Sequence, residues 1–249
     1  MQDIMKWIFF VFISILLIQC KPSSKLIEPK QEQEAEFKIL SLNKTPCFGR
    51  CATFAIDIYN SGLAILDAKD NLSVKRGIYY TTIDAVTLSR LKSLHSNTDW
   101  TKVNKSYMMN IPDLPVAHLN LFFKDSLKNK FVRSNTEASP EVESLIQELS
   151  QLAKSEQWTM VLKKDDIIDP NMMYELLQVN IDTSKTIESL EKAFEPYGLK
   201  HTRRISQFMN FWEMTYDSSK VDKYEILVFL SRYPGVYSVK FNRKLELRE

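Results

Sequence analysis

The chain has 249 residues, with 33 Lys and Arg against 31 Asp and Glu, and 44% of it is hydrophobic. That length suits one large or two small domains, and the near-balanced charge excludes a long basic footprint for nucleic acid. Its 5 glycines leave little material for glycine-rich phosphate loops or for sandwiches built on many glycine turns.

The N-terminus differs from the rest. Lys6 precedes the apolar run Trp7–Ile18, then Gln19 and Cys20. The run is shorter than the ~20 residues of a membrane span and fits the apolar region of an export signal. "LLIQC" resembles a bacterial lipobox, although Gln19 stands where a small residue is usual. The resemblance implies acylation of Cys20 and a membrane partner reached through that lipid, with an uncleaved anchor as the alternative. Residues 1–20 are thus expected to be a lipoprotein signal peptide. Residues 21–36, polar and charged, are expected to be a disordered tether. The expected location is the cell envelope, lipid-anchored on the periplasmic side or at the outer membrane.

Residues 37–160 alternate strand and helix signals. "FKILSLN", "TFAIDIY", "LAILDA" and "GIYYTTI" have β-branched or period-two patterns, with "NSG" as a turn. Val86, Leu88, Leu91 and Leu94 predict one helical face after an Asp84 N-cap. "VAHLNLFF" and "LKNKFVRS" read as a hairpin, and "SPEVESLIQELSQLAKS" as a helix capped by Ser139 with Pro140 in its first turn. Strands with helices gathered to one side predict an α+β domain.

Cys47 and Cys51, in "CFGRC", enter the first of these domains. In an exported chain a structural disulfide is the expected state, with a redox pair or half a metal site as the alternatives. Their spacing is not C-x-x-C. His95, His118 and His201 are isolated along the chain, so neither a metal nor a cofactor is expected.

"TPCFGRCATFAIDIYNSG", "RGIYY" and "IPDLP" resemble an uncharacterised domain family of Bacteroidota lipoproteins, carrying C-F-G-x-C-P, G-x-Y and T-D-L-P segments over about residues 37–155. Ala52 replaces a proline and Pro112 a threonine of that pattern. The resemblance implies fold and location, and no activity. Asp113, bracketed by Pro112 and Pro115, reads as a turn residue. A hydrolase centred on Asp113 and Tyr107 is the minor alternative.

Residues 161–171, "VLKKDDIIDPN", read as a charged linker. Residues 172–249 then show β-α-β-β-α-β order, the ferredoxin-like arrangement. The fold class expected is therefore α+β: two small α+β domains, the second a ferredoxin-like sandwich. "LEKAFEPYGL", "RRISQFMNFWEMTY" and "LSRYPGVYSVKFNRKLELRE" resemble the propeptides of subtilisin-type serine proteases, with Pro234, Gly235, Val236 and Asn242 at matching places. That resemblance implies protease contacts from Phe211, Trp212, Met214 and Tyr216 in the sheet. It implies further contacts from Leu245, Glu246, Leu247, Arg248 and Glu249 in the tail. Arg203 and Arg204, adjacent on one strand, are expected on opposite faces.

No G-x-S-x-G, H-E-x-x-H or P-loop signature occurs. The expected role is a non-catalytic envelope lipoprotein acting through contacts with another envelope protein. The alternative is an inhibitor or folding chaperone of a subtilisin-type protease.

Overall fold

The computed structural model describes residues 36–155 and 157–244. The first half builds an eight-stranded sheet. Strands β1 (Lys38–Lys44), β2 (Thr53–Tyr59), β3 (Leu63–Asp70) and β4 (Gly77–Thr82) form an antiparallel meander. Strands β5 (Ser106–Tyr107), β6 (Ala117–Leu121), β7 (Lys130–Ser134) and β8 (Thr159–Lys163) complete it in the order β5-β7-β6-β1-β2-β3-β4-β8.

Helices α1 (Ala85–Asn97) and α2 (Pro140–Ala153) pack on one face. Asp84 caps α1 by accepting the Val86 and Thr87 N–H groups. The inward face of α1 is Leu88, Leu91, Leu94 and His95, whereas Val86 points to solvent. A first-turn side chain here projects beyond the sheet it was expected to cover. Ser139 stands at the α2 N-cap as expected, but its hydroxyl makes no capping bond. Instead Glu143 reaches back to accept the Ala138 N–H at 2.8 Å.

The stretch expected as a linker is structured. Strand β8 pairs antiparallel with β4, Leu162 opposite Ile78, and a short helix α3 (Lys164–Ile167) comes next. Its composition is that of a connector, because one buried leucine among lysines and aspartates leaves no period to read. The pairing depends on a partner strand some eighty residues earlier, and such long-range bonds have no local signature.

The second half contains β9 (Met172–Ile181), α4 (Ile187–Ala193), β10 (Lys200–Arg204), β11 (Phe211–Thr215), α5 (Lys223–Arg232) and β12 (Val236–Arg243). Its four strands are antiparallel in the order β10-β11-β9-β12, the strand order of a ferredoxin-like sheet. α4 ends in a 3-10 turn, Glu195–Tyr197, closed by Gly198 at φ 67°. A Cβ there would lie 2.8 Å from that of Asp217, so both conformation and space require glycine. The fold class is α+β, with two sheets.

These sheets are not independent. Helix α5 buries five consecutive residues, Ile226 to Leu230, the mark of a helix covered on every side. One side meets Leu177, Val179 and Met214 of the small sheet. The other belongs to the same core as Tyr59, Ile65, Ile78 and Leu162 on the second face of the large sheet. The described residues accordingly belong to one compact unit, layered helix, sheet, helix, sheet. Beside α5, Lys38 pairs with Asp57 at 2.8 Å and Glu225 at 2.6 Å, and Tyr59 donates to Glu225 at 2.7 Å.

Candidate binding site

Strand β1 ends at Lys44, and residues 45–51 build one end of the large sheet. Beyond the strand, Thr45 stays zipped to Val116 through N–H to O at 3.0 Å and Val116 N–H to Oγ1 at 2.8 Å. The chain then turns through the Cys47–Cys51 disulfide, whose Cα atoms are 5.8 Å apart. The structure thus decides among the readings of "CFGRC" for a disulfide. Gly49, at φ 141°, sits at its turn.

The disulfide loop is tied to the proline-bracketed loop. Phe48 N–H donates to the Asp113 carbonyl at 3.2 Å, with Asp113 itself at φ 64°. The same loop is held from the other side by Asn135, which accepts the Met109 N–H at 2.7 Å and donates to its carbonyl at 3.0 Å. Between these fixed points the backbone presents apolar side chains to water: Phe48 is 91% exposed, Met109 49% and Ile111 46%.

Beneath that crown, between the sheet end and the first two turns of α2, lies a cleft of about 440 Å³. Pro115, Ala117 and Ile146 supply its apolar lining, and Ser134, Glu137 and Glu143 much of the polar part. Lys44 also lines it, continuing the inward-facing register of Leu40 and Leu42 where a core residue would be expected. Neither Asp113 nor Tyr107 lines this cleft. Tyr107 is half-buried against the first core, its hydroxyl accepting the Asn104 N–H at 3.3 Å. They share no site.

The sheet residues named for protease contact separate. Met214 is fully buried, so the contact expected of it is corrected: strand alternation turns it toward the helices. Trp212 shares that side, its ring beneath Arg204 at 5.6 Å and its N–H bonded to Asn210 at 2.7 Å. Tyr216 packs on the same core and donates to the Tyr174 carbonyl at 2.9 Å. Phe211 is half-buried and, by alternation, faces the opposite side. Cys20 and Leu245 to Glu249 lie outside the described residues.

The side of the small sheet away from its helices carries a closed polar ladder. Glu213, itself buried, accepts both Arg203 Nε and Nη2 at 3.0 Å, Thr202 Oγ1 at 3.0 Å and Asn242 Nδ2 at 2.9 Å. Asn242 in turn accepts from Gln178 at 2.8 Å. The Arg203 guanidinium, foremost among these donors, holds the Glu213 carboxyl below its usual value. Arg203 and Arg204 engage different groups, as strand alternation predicts.

The histidines remain apart. His95 is buried against Phe123, His118 stacks on Phe131, and His201 meets Glu191 at 2.9 Å. Among the described residues no three His, Cys, Asp or Glu side chains gather as a metal site would require.

Residues 38–153 match a domain of unknown function, DUF6438. The matched segment runs from β1 to the end of α2, so it contains the disulfide loop, the Asn135 clamp and the cleft. No curated protein matches the chain. Sequence reasoning found the disulfide and the proline-bracketed loop but missed Asn135 and Lys44. The register Leu40, Leu42, Lys44 was the available signal for the lysine. A side-chain amide bridging two distant loops has none.

Proposed function

We propose that the protein is a membrane-tethered, non-catalytic component of the cell envelope that works by protein contact through the crown around Phe48. One observation carries the reading: an almost fully exposed phenylalanine on a disulfide-closed loop, itself bonded to a second loop with exposed Met109 and Ile111. Rigid apolar anchors of this kind lose little conformational freedom on docking, which is what interface hot spots exploit. The apolar run before Cys20 and the likeness of "CFGRC" and "IPDLP" to Bacteroidota lipoproteins support the tether and the location.

Two experiments test it. Cys20→Ala should move the protein from the membrane fraction to the soluble fraction, and retention in the membrane would overturn lipid anchoring. A photo-crosslinking residue at position 48 should yield a discrete adduct that is missing when the probe stands at Leu127, an exposed control site. Adducts of equal intensity at both positions, or none at 48, would overturn the contact reading.

A second reading, inhibition or assisted folding of a subtilisin-type protease, is favoured by the ferredoxin-like strand order and the likeness of residues 172–249 to propeptides. In it the segment after β12 enters the protease cleft. The whole chain should then inhibit such a protease, and deletion of residues 245–249 should weaken inhibition at least tenfold. Absence of inhibition by the whole chain would remove this reading.

A further inference from the structure

We propose that the cleft between the end of the large sheet and α2 binds a carboxylate, held by the ammonium group of Lys44. The lysine occupies a core-facing position: Leu40 and Leu42 precede it on the same side of β1, and Ala117 lies opposite it on β6. Its side chain makes no hydrogen bond or ion pair within 4 Å among the described residues. A half-buried cation in this situation costs free energy that an anionic ligand would offset. Burial, with Lys154 adding like charge, lowers the ammonium below its ordinary value of 10.5, and Glu143 works in the opposite direction.

Three neighbouring polar groups are already committed. Glu143 holds the Ala138 N–H, Asn135 clamps Met109, and the Ser134 hydroxyl donates to the Thr136 carbonyl at 2.6 Å. Lys44 is thus the cationic donor of the lining left for a ligand. Glu143 and the exposed Glu137 also line the cleft, and their negative charge disfavours a phosphate dianion more strongly than a single carboxylate. Pro115, Ala117 and Ile146 offer an apolar wall to whatever carries that charge. The volume falls in the range of small-ligand sites. The ligand class is therefore a monocarboxylate with an apolar body, met either as a free small acid or as the C-terminus of a polypeptide.

The test uses the full chain and ligand-observed NMR with N-acetyl-leucine, N-acetyl-leucinamide and inorganic phosphate. The acid should bind at least tenfold more tightly than its amide, and phosphate should not compete. Lys44→Met should lose at least tenfold in acid affinity while Lys44→Arg retains it. Ile146→Trp, which fills the cleft and leaves the lysine, should also block binding. A blocked tetrapeptide with a free C-terminus that binds more tightly than N-acetyl-leucine identifies a polypeptide terminus, and equal affinity a free acid. Equal binding of acid and amide, no binding of either, or an unchanged affinity in Lys44→Met would overturn the proposal. Crosslinking at position 48 is read separately, so failure here is distinguishable from failure of the contact reading.

Discussion

Lys38, Tyr59 and Glu225 meet where α5 lies against the large sheet, and their titration is set by that position. Burial alone would raise Glu225. Lys38, the Tyr59 hydroxyl and the Asp222 N–H together outweigh it and hold the carboxyl below its usual 4.5. Burial would lower Lys38, yet Asp57 and Glu225 carry it above 10.5. Burial first, then Glu225, pushes Tyr59 well above 10.0. The Glu225 contribution to stability is therefore present above pH ~4.5 and lost as pH falls through the depressed folded value. The Lys38 contribution is complete below pH ~10.5 and lost as pH rises through its raised folded value. Tyr59 adds to the alkaline loss, because above pH ~10 only the unfolded chain releases its proton. Glu225→Gln should cost about 2 kcal/mol at neutral pH and flatten the acid limb of a urea-midpoint profile. An unchanged acid limb would exclude Glu225 from this role.

His95 supplies a second, separate pH effect. Its Nε2 donates to the Phe122 carbonyl at 2.9 Å, and burial lowers it below 6.5 despite that bond. The folded chain keeps the ring neutral, so stability should fall as pH drops from about 6.5 toward the depressed value. His95→Gln retains a donor for the carbonyl and should lose this pH dependence, which urea midpoints between pH ~7 and ~5 would reveal.

At the scale of elements, the informative positions are those where two segments touch. Gly77 begins β4, and a Cβ there would sit 2.6 Å from the Leu162 carbonyl of β8. Gly77→Ala must push the edge strand away, at a cost of about 1–3 kcal/mol. Hydrogen exchange should quicken in β8 and remain slow in β1 and β2. The disulfide closes a loop of few residues, so the chain-entropy estimate of its contribution is about 2 kcal/mol. Replacing both cysteines by serine should lower the urea midpoint accordingly. The same change should free Phe48 from its fixed place, giving a broader set of crosslinks at position 48.

For the whole molecule, the layer containing α5 decides what can fold alone. Removing residues 172–249 bares Tyr59, Ile65, Ile78 and Leu162, and removing the first half bares the outer side of α5. Each fragment would then expose an apolar face that favours association. Residues 36–171 and 172–249, expressed separately, should elute as aggregates. The intact chain should unfold in one transition, with tryptophan fluorescence and far-ultraviolet circular dichroism coincident. Two separated transitions would show that the halves are energetically independent. The protease assay for that reason uses the whole chain.

Much of this was legible because it is local. Period-two runs place β1 to β4, and Asp84 announces α1. The β-α-β-β-α-β order emerges from successive patterns in residues 172–249. The apolar run before "CFGRC", read as an export signal, makes the disulfide the expected state of that pair. Tertiary structure alone decided the rest. Strand β8 became part of a sheet through a partner far away in sequence, and Met214 was turned inward by its register. Helix α5 is buried over five consecutive residues, and hydrophobicity around a helix does not say how many layers cover it. Lys44 reads as the polar end of a strand until β6 and α2 close over it. Which groups a side chain meets depends on the packing of distant segments, and pattern along the chain carries no record of that.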